Sequence, residues 1–402
     1  MVMSEIIKRI KYVKLKDYLS GIQFLLALPI SLFLKWKRPQ IWLVCEDENE
    51  ARDNGYCFYK YLRKEHPEVD AVYAINMQAP DYEKVKDLGQ IISYGTFLHW
   101  IYYLAAEYNI SSQKGGKPNA AICYFLEIYG IWKNQRIFLQ HGITKDDAKW
   151  LYYDVTKFSK FICGAKPEYD FVKEKFGYPE GNVVYTGFAR FDDWHNAKKK
   201  PNRILIMPSW REWLTDNVRS YAGNSEVGKP FQETTYYKAW NGFLNNKHFI
   251  EMIKDNDLEV IFYPHRNMQK YLAEFHVDKD YIILADSKDW DIQDLLKTSV
   301  LMITDYSSVF FDFYYMKKSV IFYQFDIEAF RNYQYADGWL DYANTPVGEQ
   351  ASTEEGLLNL MECAIQREFQ LSSNAQKRHE DMFSNYDQKN CKRIFEVVKG
   401  GR

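Results

Sequence analysis

The chain has 402 residues, more than one small core uses and enough for two domains of ordinary size. Hydrophobic residues make up 47% and charged residues 26%, proportions that exclude a disordered chain. A formal charge of −2 leaves the whole chain with no nucleic-acid footprint.

That charge is unevenly spread. Residues 1–38 hold eight Lys/Arg (Lys8, Arg9, Lys11, Lys14, Lys16, Lys35, Lys37, Arg38) against Glu5 and Asp17, a net of +6 that leaves the remainder at −8. Within this segment Ile22 to Leu34 is an apolar run of thirteen residues, interrupted by Gln23, Pro29 and Ser31. A spanning helix needs about twenty. A long basic stretch before the run and Lys35-Trp36-Lys37-Arg38 after it do not fit a signal peptide. The pattern predicts a helix lying in the plane of an anionic membrane, with Lys/Arg on the headgroups. A helix packed on the first domain is the alternative.

From residue 41 short apolar runs alternate with amphipathic stretches. Strands are predicted over Ile41–Cys45, Ala71–Ile75, Gln90–Ser93, Tyr108–Ser111, Arg136–Gln140, Phe161–Gly164 and Val183–Tyr185. Helices are predicted over Asn54–Lys64, Phe97–Ala106 and Ala120–Trp132, and from Lys166. Asp192–Asn202 is polar and basic and reads as a linker. The alternation then restarts, with strands over Arg203–Met207, Leu258–Tyr263, Tyr281–Leu284, Val300–Thr304 and Ser319–Tyr323. Helices are expected over Tyr236–Asp255, Asp289–Lys297, Ser307–Met316, Thr353–Glu368 and Ala375–Val398. This spacing argues parallel sheets with helices on both faces. The predicted fold is α/β: two Rossmann-like domains facing a cleft, in the glycosyltransferase-B manner. The expected divisions are a membrane-associating segment over 1–38, an acceptor-side domain over 39–195 and a donor-binding domain over 203–370. A C-terminal helix over 371–402 is expected to pack back on the first domain.

The six cysteines are scattered and form no CxxC pair, which suits reduced, buried thiols in a cytoplasmic protein. Gly223 to Lys229 imitates a phosphate-binding loop, but Pro230 stands where a hydroxyl should hold magnesium, and no strand precedes it. Asp289-Trp290-Asp291 reads as a helix start capped by Ser287 or Asp289 rather than as a metal motif.

In open parallel sheets ligands sit beyond the carboxyl ends of the strands. There the sequence places Thr304-Asp305-Tyr306-Ser307-Ser308, where a strand gives way to a helix opened by paired serines. Unpartnered backbone N–H groups and hydroxyls at such a start suit a phosphate; plain N-capping is the alternative. Pro208-Ser209-Trp210-Arg211 puts a guanidinium at another strand end, where it could clamp phosphate. Tyr263-Pro264-His265-Arg266 occupies the same position one unit later, and Gln140-His141-Gly142 ends a strand of the first half. An imidazole there can take a hydroxyl proton, or it can simply pack.

Glu46, the run Arg52-Asp53-Asn54-Gly55-Tyr56, Gln140-His141-Gly142, Pro208-Ser209-Trp210-Arg211, His265, and Thr304-Asp305-Tyr306-Ser307-Ser308 with Asp312 follow one another in this order. Together they resemble the CDP-glycerol glycerophosphotransferase family, which includes teichoic-acid primases and polymerases and related capsule enzymes. Asp337-Gly338-Trp339-Leu340-Asp341-Tyr342 resembles the loop that follows. The resemblance implies peripheral attachment to the cytoplasmic face of a bacterial cell membrane. It implies attack by a hydroxyl of a lipid-linked or polymeric acceptor on the phosphorus of a CDP-glycerol or CDP-ribitol donor, releasing CMP. It assigns His141 as base and His265 as a second essential histidine. Donor contacts fall to Ser209, Arg211, Thr304, Asp305, Ser307, Ser308 and Asp312, and the acceptor side to Arg52, Asn54, Gln140 and Gly142. No metal, cofactor or nucleic-acid partner is expected, and a homo-oligomer is allowed. The same fold with a nucleotide-sugar donor, as transferase or epimerase, and a non-catalytic membrane scaffold are the rival readings.

Overall fold

The computed structural model describes residues 15–195, 197, 200–215, 224–277, 280–344 and 347–400. The basic residues Lys8, Arg9, Lys11 and Lys14, and Gly223 of the rejected phosphate-loop match, lie outside them.

Helix α1 (Leu15–Lys37) runs without a break through Pro29, well beyond the apolar run of the sequence. From Asp17 to Lys37 it is long and apolar enough to cross a membrane, which corrects the expectation that it is too short. One side docks on the first domain. Trp100 Nε1 donates to Ser20 Oγ at 3.0 Å, Phe24 meets the Trp100 ring edge-on at 5.6 Å, and Ala27 and Ser31 are buried. The other side leaves Leu25, Leu26, Phe33 and Trp36 exposed.

The first domain carries β1 (Trp42–Cys45), α2 (Asn54–Glu65), β2 (Ala71–Ile75), β3 (Gln90–Ser93), α3 (Phe97–Ala105), β4 (Tyr108–Ser111), α4 (Ala120–Ile128), β5 (Gln135–Phe138), β6 (Lys160–Cys163), α5 (Lys166–Lys175) and β7 (Val183–Tyr185). Its strands pair in parallel in the order β3-β2-β1-β4-β5-β6-β7. The second domain carries β8 (Arg203–Ile206), α6 (Thr235–Leu244), α7 (Lys247–Asp255), β9 (Glu259–Phe262), β10 (Ile282–Leu284), α8 (Ile292–Thr298), β11 (Leu301–Thr304), α9 (Phe310–Tyr315), β12 (Ser319–Tyr323), α10 (Ile327–Tyr333), β13 (Glu349–Ala351) and α11 (Glu354–Gln366). Its order is β10-β9-β8-β11-β12-β13, again parallel throughout. Central strands such as β1, β8 and β11 are buried at every residue, because helices cover both faces. In each sheet the order reverses at its first strand, between β1 and β4 and between β8 and β11, so the loops after those strands open into a crevice.

Two helices close the chain, α12 (Ser373–Met382) and α13 (Asn390–Gly400), where one long helix was expected. α13 returns to the first domain, placing Ile394, Phe395 and Val398 among Trp42 and Phe58. Asp192, in the expected linker, accepts from the backbone N–H of Asn390 and Cys391 at 2.9 Å each, fixing the start of α13. Gly187 takes φ +79°, and a Cβ there would meet Asn390 Oδ1 at 2.0 Å, so only glycine lets the two segments meet. All six cysteines are free thiols.

Candidate active site

In the first domain the turn after β5 is built by amides and a hydroxyl around one buried carboxyl, Glu168, whose pKa burial raises to about 7. Gln140 adopts φ +59°, a left-handed conformation that its side chain locks in place. Its Nε2 donates to the Ile162 carbonyl at 2.6 Å and to Glu168 Oε1 at 3.0 Å, while Thr144 Oγ1 donates to its Oε1 at 2.8 Å. Asn54 Nδ2 donates to the Gln140 carbonyl at 2.7 Å. Gln140 and Asn54, both expected on the acceptor side, are 1% and 0% exposed, and their side chains shape the turn. Arg52, also expected on the acceptor side, is tied to Asp81 at 2.6 Å.

The locked kink presents His141. Its ring is open to solvent although protein surrounds it on nearly every side. Burial lowers its pKa below the ordinary imidazole value; the Asp53 carboxylate and the Ser112 backbone oppose this, and Arg190 and Arg266 reinforce it. A neutral imidazole keeps a lone pair on one nitrogen, the form a general base requires.

Behind His141 lies a buried acid cluster. Glu46 accepts from the backbone N–H of Arg52, Asp53 and Tyr56 at 3.0, 3.1 and 2.7 Å, and burial pushes its pKa up. Asp53 caps α2 and pairs with Arg190 at 2.7 Å. The other arm of Arg190 reaches Asp312 of the second domain at 2.6 Å. Asp312, expected at the donor, thus joins the two halves through Arg190.

The second domain's turns are built the other way, from charges. Ser209 donates to Asp305 Oδ1 through both N (2.8 Å) and Oγ (2.5 Å). Arg211, fully buried, pairs with Asp305 at 2.9 Å and with both oxygens of Asp326 at 2.7 and 2.9 Å. Thr304 donates to the Met207 carbonyl at 2.7 Å. Thr304, Asp305 and Arg211 are all 0% exposed, so the expected guanidinium clamp on phosphate is corrected to a brace inside the domain. Helix α9 begins at Phe310 and not at Ser307; residues 307–309 form a turn before it. His265 accepts from the Asn267 N–H through Nδ1 at 3.2 Å and stacks near Trp210, with ring centroids 6.0 Å apart. Burial, helped by Arg266, lowers its pKa to about 4. It is thus a neutral ring with its proton on Nε2, a donor where His141 is an acceptor.

The two sets of turns meet around a cavity of about 230 Å³ lined by His141, Gly142, Lys145, Ser209, His265, Ser307 and Ser308. A Cβ on Gly142 would stand 3.4 Å from Ser308 Oγ, so the loops are in contact across the cleft. Lys145 was not singled out from the sequence; its signal is its place four residues after His141 on the same turn. Among the described residues no cluster of His, Cys, Asp and Glu could hold a metal ion. Asp291 caps α8 by accepting from Gln293 N at 2.7 Å, in place of the expected Ser287 or Asp289.

Residues 26–400 match the family model of CDP-glycerol:poly(glycerophosphate) glycerophosphotransferase. The minor teichoic acid biosynthesis protein GgaB of Bacillus subtilis (strain 168) is 30% identical over 378 residues, 91% of this chain and 40% of that one. A teichoic acid glycerol-phosphate primase of Bacillus spizizenii is 43% identical over 226 residues, 51% of this chain and 52% of that one. The chain thus spans about half or less of these relatives. Among solved structures, the wall teichoic acid polymerase TagF superposes with a TM-score of 0.66 at 14% identity, covering 98% of this chain and 96% of that one. A UDP-N-acetylglucosamine 2-epimerase fold from Listeria monocytogenes follows at 0.55 and 14% identity, over 90% and 96%. These structural likenesses establish the fold.

Proposed function

The chain belongs to the CDP-glycerol:poly(glycerophosphate) glycerophosphotransferase family, and we propose that it moves glycerol phosphate, or a related polyol phosphate such as ribitol phosphate, from a CDP-activated donor to a hydroxyl of a lipid-linked or polymeric acceptor. The observation that carries this reading is the contact of the His141-Gly142 turn with the Ser307-Ser308 turn across the cleft. One side offers a proton acceptor to an alcohol, and the other offers hydroxyls and the His265 N–H to phosphate oxygens.

In the reaction the acceptor hydroxyl attacks the phosphorus that bears the polyol. Its proton passes to the free nitrogen of His141, a new P–O bond forms, and the bond to the CMP oxygen breaks. Negative charge grows on the phosphoryl oxygens and on CMP, where fixed donors in a narrow cavity act most strongly. Ser307, Ser308 and His265 supply them, while Ser209, Thr304, Asp305 and Arg211 hold their turns.

The same reading places the enzyme on the cytoplasmic face of the membrane through α1. It carries outward Leu25, Leu26, Phe33 and Trp36, and the two helices it packs on, α3 and α4, expose Leu98 and Phe125. Replacing Leu25, Leu26, Phe33 and Trp36 by Ser should abolish sedimentation with anionic vesicles without lowering the melting temperature. Retained binding would put the attachment elsewhere.

A panel of CDP-glycerol, CDP-ribitol and UDP- and CMP-sugars, offered with a polyol-phosphate acceptor, tests the function. CMP release that depends on a CDP-polyol and the acceptor is expected. Turnover of a nucleotide sugar, or of nothing, would overturn the proposal.

A further inference from the structure

With Arg211 sealed inside its domain, the donor diphosphate has lost the cation that the sequence offered it. Three of the ion clusters among the described residues of the two halves differ in charge. Arg190 faces two carboxylates, Asp53 and Asp312. Arg211 also faces two, Asp305 and Asp326. The third inverts the ratio: Lys145 and Arg331 share the one carboxylate of Asp146, with Arg331 at 2.7 Å. Arg331 also touches Asp337 at 2.9 Å, but that side chain is 83% exposed and water screens it. The third cluster therefore has an excess of positive charge, and the other two do not.

Its position matters as much as its charge. Lys145 comes from the first half, on the turn that presents His141, and Arg331 comes from α10 of the second. Lys145 lines the small cavity with His141, Ser307 and Ser308. Arg331 lines a neighbouring cavity of about 780 Å³ at the carboxyl ends of β12 and β13, beside Gln324, Tyr342 and Gln350. The Lys145 ammonium is also held in place. Its side chain is 3% exposed. Trp339 N donates to its carbonyl at 3.1 Å, and Trp339 Nε1 donates to the preceding Thr144 carbonyl at 2.8 Å. A Cβ on Gly338 would strike the Lys145 carbonyl at 1.9 Å, so only glycine lets this loop of the second half close over it. Burial lowers the lysine pKa, with Asp146 opposing the shift and Arg331 reinforcing it.

We propose that Lys145 and Arg331, one from each half and linked by Asp146, are the cations that hold the diphosphate of the nucleotide-linked donor. The diphosphate would lie where the two cavities abut, with the transferred phosphoryl group toward His141 and the nucleoside toward the larger space. Because the pair straddles the seam, donor binding also draws the halves together and sets the reacting phosphorus under the base. This rests on the proposed CDP-linked donor.

The test is calorimetry on the full chain with CDP-glycerol, cytidine and inorganic pyrophosphate, for wild type, Lys145→Met, Lys145→Arg and Arg331→Gln. Loss of a charge-assisted contact should weaken CDP-glycerol by about tenfold or more in Lys145→Met and Arg331→Gln. Lys145→Arg should recover most of that loss, and cytidine, which has no phosphate, should bind all four proteins alike. Pyrophosphate should raise the melting temperature of wild type and leave that of Lys145→Met unchanged. CDP-glycerol binding within twofold of wild type in folded Lys145→Met and Arg331→Gln would overturn the inference. If Lys145→Met fails to fold, Arg331→Gln and the pyrophosphate response of wild type decide by the same criteria. A wild type that ignores CDP-glycerol yet is stabilised by pyrophosphate would sink the CDP-donor reading and leave the anion site standing.

Discussion

The turn at Gln140–Thr144 and the turn at Asp305–Val309 face each other across the cleft and are built to opposite plans. The first is held from inside by the amides of Gln140 and Asn54 with one buried carboxyl, Glu168, and shows a titratable ring outside. The second is held from inside by charges, Asp305 with Arg211, and shows neutral hydroxyls outside. Residue type at a strand end therefore does not reveal which group meets the ligand; its place against the cavity does, and Lys145 lines the cavity where Arg211 does not. A buried ion pair fixes geometry at a desolvation cost that only near-complete pairing offsets. An exposed histidine costs little to display and is free to exchange protons. The two turns should accordingly fail in different ways.

The largest effect belongs to the exposed ring. His141→Ala should cut turnover by about 10²–10⁴-fold, the usual worth of a positioned base. Its melting temperature should stay near wild type, since the amides and not the ring hold the turn. A stable variant with near-normal turnover would end the assignment. Arg211→Met should do the reverse. It strands Asp305 and Asp326 in the interior and should cost about 3–5 kcal/mol of stability by urea unfolding. Should Arg211→Met instead unfold like wild type and lose only donor affinity, the brace would after all be a phosphate clamp. Ser307→Ala with Ser308→Ala is smaller again: donor affinity should fall about tenfold while stability holds. Unchanged affinity would move the phosphoryl group away from this turn.

Much of this was legible in the sequence. Fully buried parallel strands are continuous apolar runs, so Ala71–Ile75 and Ser319–Tyr323 have the predicted bounds, as do the half-buried Gln90–Ser93 and Tyr108–Ser111. The strand Glu349–Ala351 escaped because Glu349 and Gln350 give it no apolar pattern. The helix start at Ser307 was misplaced because a serine pair caps helices and also builds turns, and only three-dimensional pairing distinguishes them. His141, Gly142, His265, Ser307 and Ser308 do converge on one cavity. Arg211, Asp312, Gln140 and Asn54 turn inward because each answers a partner more than a hundred or several tens of residues away, as Arg211 answers Asp326 (115 residues) and Asn54 answers Gln140 (86 residues). No local pattern carries such pairings.

The smallest effect tests how the two halves share control of the base. The charged groups facing His141 are Asp53 and Arg190 behind it and Arg266 from the second domain. A base works only when neutral, so activity should rise with pH through the pKa of His141, and burial places that limb below the ordinary imidazole value. The Asp53 carboxylate favours the imidazolium and so holds the limb up. Asp53→Asn removes that support and leaves Arg190 with Asp312 alone to balance it, so the acid limb should move to lower pH. Asparagine caps a helix as well as aspartate does, so α2 and the fold should survive. The rate on the plateau should change little, because the neutral ring is unaltered. A pH–rate profile of both proteins on the same acceptor reads the outcome. A limb that moves upward, or one that His141→Ala leaves in place, would show that the group titrating in catalysis is not this histidine.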